Sequence, residues 1–173
     1  VGYNVQTAVD TEHHLIIAHE VTNSGSDRAQ LTNMGLQAKE VLGVDTLEAV
    51  ADRGYYSGEE IKACDDAGIA VTLPKPMTSG IEANGKFGKN DFVYLAGEDI
   101  YRCPAGEALV YHSATVDASR AIRRYYTTAC RTCALKPRCT IAKNRVISRW
   151  EHEHVMEAAQ KRLDADPQAM RRR

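Results

Sequence analysis

Apolar and polar positions alternate at the start of the chain and then recur at helical spacing. In residues 1–22 an alternating run is followed by a short polar turn and then by a β-branched, apolar run, a pattern that predicts a β-hairpin. The next segment places apolar residues at helical spacing, and Asp27 with Gln30 forms a capping-box sequence. This segment predicts a helix that begins at Asp27 and ends at Gly43.

A strand, a short helix and a second strand are predicted next. The apolar run from Leu47 to Asp52 predicts a strand that is buried on both faces and ends on a carboxylate. Ser57 and Glu60 form a second capping box, and the apolar run after Gly68 predicts the following strand. The three elements are short enough for one right-handed parallel crossover. In open α/β sheets, functional groups collect at the carboxyl ends of strands, where this strand ends.

The pattern changes after the first 76 residues. Residues 77–149 contain short alternating runs, which predict small antiparallel hairpins, and four of the five cysteines. Residues 150–173 return to helical spacing. The simplest architecture is an α/β core in residues 1–76 (hairpin, helix, strand, helix, strand), a β-rich cysteine-containing insertion in 77–149, and a C-terminal helix in 150–173 that returns to the core.

Composition and charge indicate a soluble protein with one strongly basic segment. The chain has 173 residues, 43% of them hydrophobic, and has neither an apolar run of membrane-spanning length nor a signal-like segment, so a soluble cytoplasmic protein is expected. Its net charge of −1 conceals an asymmetry. Residues 1–117 hold 18 acidic and 8 basic side chains, whereas residues 118–150 hold nine basic and no acidic ones. The basic segment is either a surface that contacts phosphates or simply a solvated face.

The cysteines predict a metal site in the insertion. Cys130 and Cys133 have the spacing of two thiolates on one tetrahedral metal ion, and Cys103 and Cys139 are candidate further ligands. A structural Zn²⁺ ion is expected, with unligated thiols or an iron–sulfur cluster as alternatives. Cys64 lies on the predicted short helix and is expected to be a small buried hydrophobe.

Asp52 is the candidate for catalytic chemistry. A carboxylate fixed at the end of a strand is a good ligand for Mg²⁺ in phosphoryl chemistry. Two metal ions need several such oxygens, so Asp52 would be one member of a set. Gly54 would let the backbone turn away without crowding the metal ions. The simpler alternative is that Asp52 caps a loop or pairs with Arg53.

Several motifs follow one another along the chain in a recognisable order. The series begins with GYNVQTAVD, HHLIIAHEVTN and SDRAQL and continues with VADRGYYSGEEIKAC and LPKP. It extends through YRCPAGE, CRTCALKPRC and RWEHEHVMEAAQKRL. In this order the motifs resemble those of the DDE transposases of bacterial insertion sequences, and the resemblance covers essentially the whole chain. The chain is therefore expected to be a section of such a transposase.

The resemblance implies a ribonuclease H-like core in which three acidic residues bind Mg²⁺. Such enzymes cleave the element ends to leave 3′ hydroxyls, which then attack target DNA. Asp52, in an Asp-Arg-Gly-Tyr motif, matches the second acidic residue. The first is expected upstream of Val1, because Asp10 falls at the hairpin turn, and the Glu a few residues past position 173. We therefore expect residues 1–173 to be catalytically incomplete, with no other Asp or Glu converging on Asp52 in metal-bridging geometry.

The resemblance also implies DNA as the partner, both the element ends and the target. It further suggests a homodimer in the transposition complex, a bacterial cytoplasmic location and no membrane contact. The expected DNA-facing surface combines basic residues with Tyr125, Tyr126 and Trp150, because cations bind phosphates and aromatic rings stack on bases. Its basic residues are Arg120, Arg123, Arg124, Arg131, Arg138, Lys143 and Arg145.

Two other functions remain open at this point. A zinc-stabilised nucleic-acid-binding module without catalysis would be favoured if Asp52 were buried and salt-bridged. A small-molecule phosphotransfer or phosphohydrolase domain would be favoured if an enclosed pocket formed above Asp52.

Overall fold

The computed structural model describes residues 2–76, 85–118 and 120–171 of the chain. It is a mixed α/β structure that divides into two compact units. The core unit joins Val1–Pro76 to His152–Arg173, and the inserted unit is Met77–Glu151. Residues 77–84, at the start of the predicted insertion, lie outside the described residues. How these segments divide into functional domains stays a prediction.

The core unit has the predicted order of hairpin, helix, strand, helix and strand. Its elements are β1 (Asn4–Val9), β2 (Ile16–Thr22), α1 (Leu31–Leu42), β3 (Leu47–Val50), α2 (Gly58–Asp66), β4 (Ile69–Thr72) and α3 (Glu153–Ala165). Strands β1 and β2 pair antiparallel, with Asn4 opposite Thr22. Strands β3 and β4 pair in parallel, with Leu47 opposite Ile69, as the crossover prediction requires.

Both predicted capping boxes are wrong. Asp27 lies in a 3-10 turn before α1, and its carboxylate accepts hydrogen bonds from side chains of β1. Helix α1 begins only at Leu31. Ser57 precedes α2 without a side-chain cap, and Glu60 accepts a hydrogen bond from the Thr32 amide at 2.8 Å. In both places tertiary hydrogen bonds have replaced the local ones that the sequence pattern predicts.

Strand β3 is less buried than the sequence pattern predicts. Glu48 is exposed, and Leu47, Ala49 and Val50 are half-buried. Among the described residues β3 has a strand partner on one side only, which is β4. Burial on both faces would need further elements around β3, so this prediction is wrong for the described structure.

The buried core lies around β4, where the three helices pack. Gly35 lets α1 approach closely, since a β-carbon there would lie 3.0 Å from Ile69 Cδ1. Helix α3 is fixed by a hydrogen bond from Arg162 Nε to the Val71 carbonyl, at 2.9 Å. The buried apolar side chains of this core are Ala18, Leu31, Met34, Ala38, Ile61, Cys64, Ile69, Val71, Leu73, Val155, Ala159 and Ala169.

The inserted unit is a five-stranded antiparallel sheet in the order β5-β6-β7-β8-β9. Its strands are β5 (Val93–Leu95), β6 (Ile100–Arg102), β7 (Ala108–Asp117), β8 (Arg120–Tyr126) and β9 (Val146–Trp150). A one-turn helix, Lys136–Cys139, lies between β8 and β9. The core of the sheet is Phe92, Tyr101, Leu109, Tyr125 and Ile147. No helix in the described ranges of either unit is long and apolar enough to cross a membrane.

Candidate functional site

Asp52 lies just beyond the carboxyl end of β3, where the sequence analysis placed it. It precedes a 3-10 turn, Arg53–Tyr55, and Asp52 Oδ1 accepts a hydrogen bond from the Gly54 amide at 2.7 Å. The Tyr55 amide donates to the Asp52 carbonyl at 3.2 Å. Asp52 therefore does cap its own turn, as the simpler alternative proposed. The cap also fixes the direction of the carboxylate, which is what a metal ligand requires.

A second carboxylate, that of Asp27, lies beside the same turn. A β-carbon at Gly54 would lie 2.9 Å from Asp52 Oδ1 and 3.5 Å from Asp27 Oδ2. A side chain at this position would therefore displace the Asp52 carboxylate, whereas 3.5 Å to Asp27 Oδ2 is an ordinary van der Waals contact. Glycine leaves the Asp52 carboxylate in the position that its hydrogen bond from the Gly54 amide gives it.

Asp27 is held by two amide side chains of β1. Its Oδ1 accepts hydrogen bonds from Asn4 Nδ2 at 2.6 Å and from Gln6 Nε2 at 2.8 Å. Gln6 is 1% exposed, and its Oε1 accepts a hydrogen bond from the Tyr55 hydroxyl. Gln6 thus links Asp27 to the residue that ends the Asp52 turn.

The local sequence pattern marks Asp27 as a helix cap, so its place beside the Asp52 turn was not predicted. One signal could have found it. Asn4 and Gln6 occupy alternate positions of a strand and so point to the same face, and two amides on one face need a shared acceptor if they are buried. An acidic residue soon after the hairpin is such an acceptor.

The negative charges of Asp27 and Asp52 affect the pKa of the Tyr55 hydroxyl. Burial raises the pKa of Tyr55, and the negative charges of Asp27 and Asp52 raise it further because they disfavour a phenolate. Burial likewise raises the pKa of Tyr56, and the charge of Glu153, the first residue of α3, adds to that effect. Acidic side chains therefore lie near both tyrosines that follow Asp52.

Asp10 takes no part in this site. As predicted, it lies at the hairpin turn, where its Oδ2 accepts a hydrogen bond from the His13 amide at 2.6 Å. That hydrogen bond lowers the pKa of Asp10. The Asp10 carboxylate therefore stabilises its own hairpin turn.

The donor atoms around Asp52 suit Mg²⁺ in type but form an incomplete set. Carboxylate oxygens are the ligands that this hard cation prefers. Within the part of the chain that the structure describes, however, no three His, Cys, Asp or Glu side chains come together in a way that could hold a metal ion. A metal ion at Asp52 would therefore need further oxygen ligands from water, substrate or other residues.

The four cysteines of the inserted unit line a single cavity. Cys103, Cys130, Cys133 and Cys139 share it with Phe92 and other side chains. Burial raises the pKa of the Cys139 thiol; the other three thiols raise it further, whereas the charge of Arg145 lowers it. The sulfur donors suit Zn²⁺ in type, although within the described residues no three of them come together in a way that could hold a metal ion. Cys64 is fully buried in the core unit.

At least three of the seven predicted DNA-binding residues make side-chain contacts within the described part of the inserted unit. Arg123 forms an ion pair with Asp99, at 2.5 Å. Arg138 Nε donates a hydrogen bond to the Gly85 carbonyl at 3.3 Å, and Arg145 donates one to the Cys139 carbonyl at 3.4 Å. These three side chains therefore serve the fold of the unit.

The remaining basic residues differ in exposure. Arg124, Arg131 and Lys143 are exposed, and Arg120 is half-buried. The aromatic part of the prediction is largely wrong, because Tyr125 is fully buried in the sheet core and Trp150 is 8% exposed. Tyr126 is half-buried, and its ring stacks on that of His112 with 3.4 Å between centroids. Buried aromatic rings stabilise this small sheet by packing together and so are withdrawn from the surface.

The comparisons with known proteins agree with the motif resemblance. A family model described as the transposase DDE domain matches residues 1–166, which include the Asp52 turn and all the cysteines. Searches of curated proteins and of solved structures found no significant match. Membership implies a transposase function in general, with DNA binding, and this family generally uses Mg²⁺. This chain belongs to the transposase DDE domain family.

Proposed function

We propose that this chain is part of the catalytic domain of a bacterial insertion-sequence transposase, which cleaves the ends of its element and joins them to target DNA. The observation that carries the proposal is the family match over residues 1–166 together with Asp52 at the end of β3. The expected setting is the bacterial cytoplasm.

The proposed core is ribonuclease H-like. The hairpin, α1, the parallel pair β3–β4 and the crossover helix α2 follow in the order that such a core requires. The half-buried β3 is consistent with a sheet that continues beyond the described strands. A carboxylate at the end of a central strand would then lie at the edge where open α/β sheets bind their ligands.

Asp52 is proposed to hold a catalytic Mg²⁺ ion. When bound, such ions activate the attacking oxygen and stabilise charge on the phosphate. The role of the chain is to fix the Asp52 carboxylate through the Gly54 amide and to bring Asp27 beside it. The other acidic residues of the triad are proposed to lie outside residues 1–173, because among the described residues no three His, Cys, Asp or Glu side chains come together in a way that could hold a metal ion. Residues 1–173 alone would then neither cleave nor join DNA.

DNA is proposed to contact the exposed basic residues of the inserted unit. Arg124, Arg131, Arg138 and Lys143 are exposed, as phosphate contact requires, and Arg138 also bonds to the Gly85 carbonyl. The half-buried Arg123 and Arg145 would act indirectly by supporting the surface. Two copies are proposed to pair in the transposition complex, because two element ends must be processed together.

A structural Zn²⁺ ion is proposed for the cysteine cavity. Cys103, Cys130, Cys133 and Cys139 supply four sulfur donors from three separate segments of the inserted unit. Small sheets of this size commonly gain stability from such a cross-link. A bound ion would tie these three segments to one another.

The proposal is tested with the full-length protein and a plasmid that carries the DNA surrounding its gene. Asp52→Ala should abolish Mg²⁺-dependent nicking, whereas Asp65→Ala, an exposed acidic residue on α2, should leave it intact. If Asp52→Ala nicks DNA as fast as the parent, the catalytic proposal is wrong. Tight DNA binding without any nicking by the parent would favour a non-catalytic binding module.

A further inference from the structure

Asp27 has a structural link to Asp52 that the proposed function does not explain. The link is a chain of hydrogen bonds: Asp27 Oδ1 accepts from Gln6 Nε2 at 2.8 Å, and Gln6 Oε1 accepts from the Tyr55 hydroxyl. Tyr55 ends the 3-10 turn that Asp52 begins. Asp27 is thus connected to the end of the turn opposite Asp52.

The burial of Gln6 makes this link stiff. Gln6 is 1% exposed, so its amide hydrogens and its carbonyl oxygen must both find partners within the protein. Asp27 supplies the acceptor and Tyr55 supplies the donor. If Asp27 lost its carboxylate, Gln6 would have a buried amide without its acceptor, and reorientation of Gln6 would release the Tyr55 hydroxyl.

We propose that Asp27 is a positioning residue for Asp52, acting through Gln6 and Tyr55. This inference rests on the proposed function, because it assigns Asp52 the metal-binding role. The 3-10 turn is short, and Asp52 Oδ1 and the Gly54 amide bond to each other within it. Movement of Tyr55 therefore moves the Asp52 carboxylate. Misplacement of a catalytic group by about 1 Å is enough to reduce a rate by about a hundredfold.

Substitutions at Asp27 distinguish its role as a hydrogen-bond acceptor from the effect of its charge. Asn at position 27 keeps an oxygen that can accept from both amides, so Asp27→Asn should keep most of the activity. Asp27→Ala removes the acceptor and should lower the rate by about tenfold or more and raise the Mg²⁺ concentration required for half-maximal activity. Tyr55→Phe breaks the same link at its other end. The double variant should therefore be little worse than Asp27→Ala alone.

Glu20 provides a matched control in the same unit. It also accepts hydrogen bonds from two amide side chains, Asn33 and Gln37, and these bonds tie β2 to α1 without involving the Asp52 turn. Because Asn33 is exposed and Gln37 is only half-buried, Glu20→Ala should lower the melting temperature of the full-length protein less than Asp27→Ala does. It should leave the Mg²⁺ requirement unchanged.

The experiment measures three properties of the full-length variants. The first is the rate of plasmid nicking as a function of Mg²⁺ concentration. The second is the extent of Fe²⁺-promoted cleavage of the protein backbone near residue 52. The third is the coupling free energy between Asp27→Ala and Tyr55→Phe, from a double-mutant cycle of the free energy of unfolding. The expected result is weaker cleavage near residue 52 in Asp27→Ala but not in Glu20→Ala, together with clear coupling. Parent-like nicking by Asp27→Ala, or absence of coupling, would overturn the proposal.

Two further outcomes separate this proposal from the proposed function. If Asp27→Asn is as impaired as Asp27→Ala while Tyr55→Phe resembles the parent, the charge of Asp27 acts directly and the positioning role is wrong. If Asp52→Ala remains active, the proposed function fails. In that case the Asp52-directed role of Asp27 fails with it, even if the coupling shows that the link exists.

Discussion

The carboxylates of Asp27 and Asp52 flank the same glycine, although helix α1 and strand β3 separate them in the sequence. Gly54 lies between them, with Asp52 Oδ1 and Asp27 Oδ2 2.9 and 3.5 Å from the point where its β-carbon would be. Asp52 is held by its own turn and Asp27 by amides of β1. The hydrogen bonds from Gln6 to Asp27 and from Tyr55 to Gln6 then connect the two residues.

Gly54→Ala is expected to impair catalysis more than folding. Its methyl group would lie 2.9 Å from Asp52 Oδ1, which is closer than real contacts allow, so the carboxylate must move. We expect nicking by the full-length protein to fall by about ten- to a hundredfold. Gly25→Ala is the control, because nothing lies within 4 Å of its added methyl group. Equal activity in the two variants would argue against a fixed Asp52.

Removal of thiols from the cysteine cavity is expected to release zinc. The purified protein should contain about one Zn²⁺ ion per chain, and Cys130→Ser with Cys133→Ser should remove it, because two thiolates are too few to hold the ion tightly. Elemental analysis measures the content. Cys64→Ser is the control, since Cys64 lies in the core unit. A parent protein that lacks zinc after expression with added zinc would contradict the prediction.

Charge reversal of the exposed basic residues is expected to weaken DNA binding. Changing Arg124, Arg131 and Lys143 to Glu should lower the affinity for a duplex oligonucleotide and flatten its salt dependence, with a loss of about 0.9 in slope for each phosphate contact. Fluorescence anisotropy at several salt concentrations measures both quantities.

The control for this charge reversal changes three exposed basic residues elsewhere, Lys75, Lys86 and Lys161, to Glu. It alters the net charge equally, so equal effects of the two triple variants would show that only net charge matters.

Asp99 is expected to make the inserted unit sensitive to acid. Burial alone would raise its pKa, but hydrogen bonds from Tyr94 and Tyr125 and the charge of Arg123 outweigh burial and hold the pKa below its usual range. A carboxyl whose pKa is lowered on folding stabilises the fold above its unfolded pKa of about 4, and this contribution is lost as the pH falls through the folded value.

Asp99→Asn should therefore reduce the stability of the inserted unit at pH 7 by about 1 kcal/mol and make it less dependent on pH below about 4. Asn tolerates the left-handed backbone at this position, where φ is 52°. Urea unfolding, followed through the fluorescence of the single tryptophan, Trp150, measures the change. Asp117→Asn, an exposed position on β7, is the control and should match the parent at every pH.

The sequence by itself determined the order of the elements and the place of Asp52. Alternation and helical spacing depend on neighbouring residues, so the hairpin, the helices and the parallel crossover could be predicted. The turn after β3 is also local, because Asp52 and Gly54 complete it between them. The cysteine spacing predicted a common site, and the four side chains do line one cavity.

Only the tertiary structure decided which side chains meet and which are buried. On β1 the apolar Val5 is 60% exposed, whereas the polar Gln6 is 1% exposed, because Gln6 finds partners in Asp27 and Tyr55. Tyr125 is likewise buried in the inserted sheet by packing, and Arg123 is held there by its ion pair with Asp99. Burial and pairing depend on residues that are distant in sequence, so a local pattern cannot specify them.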